Sequence, residues 1–444
     1  MNSFADAMFN LSVFCVVCFA LYYLFIFFQM FISLFLSGKK KTGDYVLSSL
    51  KNVSDDNMIP VSVIIPLQKT EKSAIESILH IMQSEYPNIE YIVINSGASE
   101  LVHNEVLSHF KLDKIECSIK ASIKTSKIKN VYYNADFPNL LYIDKIGTNF
   151  CDAVNCGINI SKFPLYTVLQ PGFIIEKNSV FKLASVFLKD SSTIVSAGLI
   201  RPDKILSSSS NSTYYFETLE CIKASFHDKA SPFYYGTLFS DAGIFGIFNK
   251  QTVIDCGGYQ VNAIDYNHNL LMKMESFLVK NNRRYSFKQS SNVVCQVPAA
   301  SSFGSLLSRY KRWQKGICTT LKKFFVSSIF GKFSLKKFIS YLYLFFFEFL
   351  YVFINVFSYI SLIAATVLGK ISIQVFLLLI AGLILSEIII SLFALTLNQR
   401  SNDQSLKISR KIVGTVLLEN FGKKQLTMFS RFLGIFKSKN KFNA

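Results

Sequence analysis

The chain has 444 residues, of which half are hydrophobic, 43 are Phe and only 17% are charged, with a mean hydropathy of +0.33. That composition argues against a purely soluble, a disordered or a disulfide-stapled secreted chain, and the length allows about three structural units. Lys and Arg outnumber Asp and Glu by 47 to 29, a formal charge of +18, which fits nucleic acid, anionic lipid or the positive-inside bias of a membrane protein until the charges are located.

The first element is almost unbroken apolar sequence from Leu11 to Leu36, longer than the roughly 20 residues a helix needs to cross a bilayer. It is too long for a signal peptide and lacks a basic start and a small-residue cleavage pattern. A membrane helix over 1–37 is therefore predicted. Lys39, Lys40 and Lys41 follow, placing what comes next in the cytoplasm by the positive-inside rule. A polar linker, 38–58, leads to a region, 59–300, that opens with VSVIIP (Val61 to Pro66), a helical stretch to Gln83 and IEYIVIN (Ile89 to Asn95). Strand, helix, strand with continuous apolar strands predicts a parallel α/β sheet whose ligands lie beyond the strand C-termini.

Residues 301–338 carry Arg309, Lys311, Arg312, Lys315, Lys322, Lys323, Lys332, Lys336 and Lys337 interleaved with Leu, Ile and Phe. Such a pattern can bind nucleic acid; beside a membrane span it predicts basic helices lying on anionic headgroups, the reading adopted here. Two long apolar runs, Ile339 to Leu368 and Ile371 to Leu397, are split by Gly369 and Lys370 and predict a transmembrane hairpin over 339–397. Glu348 and Glu387 lie inside it. Ionisable groups there are costly and face an interior, a cavity or a partner; with no basic residue near them in the runs, they are expected to be protonated and bonded to neighbours such as Asn355 or Gln374, or to line a polymer path. The tail, 398–444, holds Arg400, Lys407, Arg410, Lys411, Lys423, Lys424 and Arg431 and is predicted to be cytoplasmic. Within it, Ile412 to Phe421 is too short to span and reads as interfacial or re-entrant. The cysteines, including Cys15 and Cys18, read as reduced packing residues, and the scattered His residues give no zinc pattern.

The motifs then carry a resemblance. VSVIIP, SEYPNIEYIVINSGAS, DAVNCGI (Asp152 to Ile158), GIFGIFNKQTVIDCGGY (Gly243 to Tyr259) and RYKRW (Arg309 to Trp313) keep the order of membrane-integrated family 2 glycosyltransferases, and the flanking membrane helices and the tail piece LLENFGKKQL resemble the processive polysaccharide-synthase branch. The resemblance implies a GT-A-like (nucleotide-diphosphosugar transferase) mixed-sheet α/β domain with transmembrane helices, a nucleotide-sugar donor, a glycan acceptor, and a bacterial inner-membrane location. It also implies Mg or Mn held by the carboxylates of a DxD motif, because a hard cation takes oxygen ligands.

By the same resemblance, donor-binding positions fall on Pro66, Asn95, Ser96, Asp152, Asn155, Gln170, Gly172 and Arg309. Asn95 and Ser96 replace the acids that hold base and ribose. The DxD falls on Gln170, Pro171 and Gly172, the acidic pair containing the general base falls on Tyr266 and Asn267, and the expected lysine is Phe150. Arg312 and Trp313 are kept, Trp313 either as an acceptor platform or packed at headgroup depth. An amide cannot act as general base near neutral pH. Asp265, two residues before the expected base, is a substitute if the loop rearranges and otherwise a solvated carboxylate; Asp241 is another nearby acid. The expectation is a catalytically impaired pseudo-glycosyltransferase with no metal assigned, acting with an active synthase subunit. Its alternatives are an active inverting enzyme with relocated acids, using Mg or Mn, and a binding protein whose basic belt (Lys322, Lys323, Lys336, Lys337) contacts anionic lipid or glycan. The bilayer, a nucleotide sugar and a glycan acceptor are the other expected partners, and nucleic acid is not.

Overall fold

A computed structural model describes residues 2–37, 58–68, 74–117, 121–147, 149–203, 212–229, 245–400 and 410–436. Lys39, Lys40, Lys41, nearly all of the expected linker, Asp241 and Lys407 lie outside these residues. Ten strands form one sheet: β1 (Val61–Leu67), β2 (Ile89–Asn95), β3 (Asp113–Ile115), β4 (Ile128–Tyr133), β5 (Leu140–Lys145), β6 (Leu165–Val168), β7 (Ile174–Ile175), β8 (Thr193–Asp203), β9 (Phe245–Asn249) and β10 (Ser286–Pro298). Their order is β3-β4-β5-β2-β1-β6-β9-β8-β10-β7. β1, β2, β5 and β6 run parallel at its centre, and β9 runs antiparallel to β6 and β8.

Every residue of β1 is buried, as a strand covered on both faces requires. Its side chains alternate between two cores. Val61, Val63 and Ile65 meet α2 (Ala74–Met82), α3 (Glu100–His109) and α5 (Ser179–Lys189) on one face, and Ile64 meets α4 (Phe150–Ile160), α7 (Lys250–Asp255) and α8 (Tyr266–Lys280) on the other. Gly157 lets α4 come down onto the sheet: a Cβ there would fall 2.6 Å from Ile64 Cγ2 and 2.9 Å from Ile94 Cδ1.

Among the described residues, three helical stretches are long and apolar enough to cross a membrane, Ser3–Ile32, Leu335–Val367 and Ile373–Asn398. The first lies in α1 (Asn2–Ser37). The second combines α10 (Leu335–Tyr343), a π-helical stretch over Leu344–Leu350 and α11 (Tyr351–Val367), and the third lies in α12 (Ile373–Arg400). Asp6 pairs with Lys370 at 2.6 Å, so the start of α1 shares a level with the turn between the second and third spans. Tyr22 stacks on Tyr351 at 4.4 Å and Phe25 on Phe347 at 4.7 Å, which locks the first two spans together.

The region expected as basic interfacial helices is one 27-residue helix, α9 (Phe303–Ile329), followed by the second span from Leu335. Two members of the expected basic belt are not free on its surface. Lys337 is buried and donates to the Ser327 carbonyl, and Lys323 turns to Gln260.

The intramembrane acids are corrected in the same way. Glu348 is not paired with Asn355: Arg431 reaches it at 2.6 Å from the tail helix α14 (Lys424–Phe436). Glu387 is not paired with Gln374: Lys424 binds it, Tyr23 donates to it at 3.0 Å, and Lys223 of α6 (Ser212–Lys229) stands 4.0 Å away. The sequence contains no cation near these acids within the spans because their partners come from far along the chain. Where the tail was expected to be simply a basic cytoplasmic extension, Lys423 is likewise buried against Glu220 and Glu419.

Between the α/β domain and the second span, Glu275 of α8 is buried and accepts from Tyr285 at 2.8 Å. Burial pushes its carboxyl up to about 7, against the opposing effects of the Tyr285 hydrogen bond and the Lys337 and Lys336 charges. The folded value lies above the ordinary 4.5, so this group's contribution to stability is complete below about pH 4.5 and is lost as pH rises through about 7. Glu275→Gln should flatten that part of the pH–stability curve, measured by thermal unfolding in detergent; an unchanged curve would exclude Glu275 as its source. Arg431→Ala strands Glu348 and is expected to cost roughly 3–5 kcal/mol, whereas Arg431→Met with Glu348→Gln should recover most of that loss.

Candidate active site

The parallel strands β1, β2, β5 and β6 end on one side of the sheet, and the predicted donor residues Pro66, Asn95, Ser96, Gln170 and Gly172 lie at or near those ends. Pro66 is buried in β1 beside Ile94 of β2. Asn95 closes β2, its Oδ1 accepting from the backbone N–H groups of Gly97 and Ala98 at 3.3 and 3.0 Å. Its Nδ2 donates at 3.0 Å to Asp144 at the end of β5. Ser96 is buried and its backbone N–H donates to the Leu67 carbonyl.

Asp152 and Asn155, one turn apart on α4, have structural partners. Asp152 pairs with the fully buried Lys145 and accepts from the Ser126 N–H at 3.0 Å and hydroxyl at 2.6 Å. Asn155 clamps the Tyr259 backbone, donating to its carbonyl and accepting from its N–H, both at 2.8 Å. That clamp shapes the Gly257–Gly258 turn, where both residues have positive φ; a Cβ on Gly258 would fall 2.7 Å from Asn155 Oδ1. Lys273 closes the turn by donating to both glycine carbonyls, at 3.0 and 2.8 Å.

Beyond β6, Gln170 Nε2 donates to the Tyr266 hydroxyl at 3.4 Å, and Phe150 packs on the Tyr266 ring at 4.6 Å. Gly172 has φ +82 and donates its N–H to Ser77 at 2.9 Å. Three positions expected to carry charge in the resembling family, Phe150, Gln170 and Tyr266, are thus joined by a neutral aromatic and amide contact. Burial pushes the Tyr266 hydroxyl up to about 12, so it remains a neutral phenol at physiological pH.

Asp265 is not solvated. It caps α8, accepting from the His268 N–H at 3.2 Å, and its Oδ2 lies 2.9 Å from His268 Nδ1, both side chains nearly buried. α9 presses on this pair through Gly316, where a Cβ would stand 2.4 Å from Asp265 Cβ. Asn267 lies partly exposed in the first turn of α8. The remaining motif residues point elsewhere. Arg309 pairs with Glu217 of α6 at 2.6 Å, Arg312 is exposed, and Trp313 packs against the buried cluster that includes Tyr341 and Leu344 of the second span, beneath the Arg431 guanidinium, 4.7 Å from its ring centroid.

No family model matches the chain. A poly-beta-1,6-N-acetyl-D-glucosamine synthase of Staphylococcus epidermidis is 22% identical over 272 residues, which is 61% of this chain and 57% of that relative. The chain thus aligns with a little over half the length of the relative. Among solved structures, the mannosyltransferase PcManGT from Pyrobaculum calidifontis, in complex with GDP-Man and Mn2+, matches with a TM-score of 0.55 at 13% identity, covering 93% of this chain and 99% of that one. The fold is GT-A-like. The chain is glycosyltransferase-like and related to a polysaccharide synthase, in agreement with the motif resemblance.

The positions that align with the DxD motif offer a divalent cation no carboxylate. Gln170 supplies one neutral carbonyl oxygen, Pro171 and Gly172 supply no side-chain ligand, and no group of three or more His, Cys, Asp or Glu able to hold a metal occurs among the described residues. One cleft acid escaped the sequence reading. Asp144 is nearly buried, beside Asn95 and 3.7 Å from Lys129, and only the β2–β5 pairing brings it there. The signal available was a single acid at the end of the apolar LLYID run, without a recognised motif around it. Gly316→Val is expected to force α9 off the Asp265 cap at a cost of roughly 1–3 kcal/mol; unchanged detergent unfolding would show that the helices yield freely at this point.

Proposed function

We propose that this chain is a catalytically impaired, membrane-anchored member of the glycosyltransferase-like group, serving as a partner or regulatory subunit of an active synthase in cell-envelope or extracellular polysaccharide synthesis. In this reading the α/β domain and C-terminus face the cytoplasm at a bacterial inner membrane. The Phe150–Tyr266–Gln170 contact supports the reading best. A leaving nucleoside diphosphate needs cationic stabilisation where charge develops, and these three side chains bring neither a cation nor carboxylates to hold one. Asn95 and Asp144, which still place polar side chains at the strand ends, are bonded to one another.

A second reading, an active inverting transferase with relocated acids, draws on the Asp265–His268 pair. A carboxylate beside an imidazole brings together two groups of the kind used for general-base catalysis. The full chain, purified in mild detergent, is expected to release no nucleoside diphosphate from a panel of nucleotide sugars with Mg2+ or Mn2+. It should also co-purify with an active synthase from its native membrane. Metal-dependent release that Asp265→Asn abolishes would overturn the proposal in favour of the second reading, and a lone monomer at every detergent concentration would remove the partner role.

A further inference from the structure

The tail beyond the third span folds as two short helices, α13 (Arg410–Leu418) and α14, joined by a π-helical turn over Glu419–Lys423 in which Gly422 has φ +104. Depth along the spans follows from the turn at Gly369, at about 1.5 Å per residue. Tyr359, Phe357 and Phe353 then lie about 15, 18 and 24 Å from that turn, and Glu348 about 32 Å, close to the far boundary of a ~30 Å hydrocarbon layer. α14 lies along this stretch. Gln425 Nε2 meets the Tyr359 hydroxyl at 3.5 Å, Phe432 packs on Phe357 at 6.0 Å and on Phe353 at 5.6 Å, and Phe436 packs on Phe353 at 6.3 Å. α13 enters beside the end of the third span, with Ile412 and Val416 clustered with Ala394, Leu395 and Leu397.

Lys411, at the start of α13, is exposed, but the cations beyond it face inward. Lys424 binds Glu387, Arg431 binds Glu348 and Gln314, and Lys423 binds Glu220 and Glu419. The outward face of α14 is Leu426, Phe429, Leu433 and Phe436, exposed at 50, 52, 40 and 62% and spaced three and four residues apart. It carries no charged residue, and the patch continues through Phe421 in the turn and Leu417 and Leu418 in α13. In water this would be a large exposed apolar patch; beside the second span it continues that span's outward Phe357 and Ile360.

We infer that 410–436 is a re-entrant hairpin seated in the leaflet nearest the α/β domain, and that the Leu426–Phe429–Leu433–Phe436 stripe contacts lipid acyl chains. Inward pairing removes the cost of carrying three cations to that depth, while the stripe supplies the apolar area that retains the hairpin there. The segment is a fourth membrane element of half depth, closing the side of the bundle where Glu387 would otherwise face lipid.

The test uses the full chain with Trp313→Phe and Phe429→Trp, reconstituted in phosphatidylcholine vesicles with or without acyl-chain bromine. The new Trp should lose more than half its emission to the brominated lipid and be insensitive to aqueous iodide. Leu101→Trp in the same background, on the exposed face of α3, should show the reverse; Leu433→Trp repeats the measurement if the first variant folds poorly. A position-429 Trp quenched by iodide but not by bromine would place the stripe in water, and one quenched by neither would place it against protein. Either result overturns the inference.

Discussion

A charge moved into a low-dielectric layer must be paired, and that constraint organises the C-terminal half of this molecule. Glu348 and Glu387 sit in the second and third spans, where an isolated carboxylate is costly. Their partners, Arg431 and Lys424, arrive from the last helix, and Tyr23 arrives from the first span. The π-helical stretch adds to this arrangement. It leaves the Glu348 carbonyl open to accept from Gln314 at 2.8 Å and from Arg431 at 3.1 Å. One acid thus gathers the second span, α9 and α14 at a single point, and the aromatic packing around Trp313 forms beside it.

The same ionic network reaches the α/β domain through α6. Lys223 bonds Glu419 at 2.7 Å, Glu220 binds Lys423 and the Tyr310 hydroxyl, and Glu217 takes Arg309. α9, which carries the RYKRW motif, is therefore clamped between membrane-level charge pairs and the Asp265 cap of α8. Two motif residues are held in structural contacts: Arg309, expected on the donor side, in an ion pair, and Trp313, expected as an acceptor platform or packed at headgroup depth, beneath a guanidinium. The donor side shows the corresponding change, with neutral groups meeting where phosphate chemistry needs charge.

Much of the architecture was legible from local pattern because its causes are local. Long apolar runs mark membrane helices whatever surrounds them, and VSVIIP and IEYIVIN mark buried parallel strands because both sheet faces are covered. The identities at 170 to 172 and at 266 and 267 likewise show which side chains stand at the positions that the motif resemblance assigns to the acids. Asp144 was not legible, since a carboxylate at one strand end joins a cleft only through pairing with a strand some fifty positions earlier. Asp265 looked solvated in sequence because nothing local announces that Gly316, fifty-one residues later, lets a helix close over it.

By itself the sequence determined the apolar spans and the opening strand, helix and strand of the sheet, consequences of residue identity and short-range periodicity, and the motif resemblance located the positions where acids were expected. Tertiary structure alone decided which cations neutralise the buried acids, where Trp313 and Arg309 point, and which face of the C-terminal helix is left bare. Those outcomes depend on contacts between residues up to several hundred positions apart, as Tyr23 and Glu387 are. Coulombic pairing in a dry interior is decided by distance in space, and a sequence records only distance along the chain.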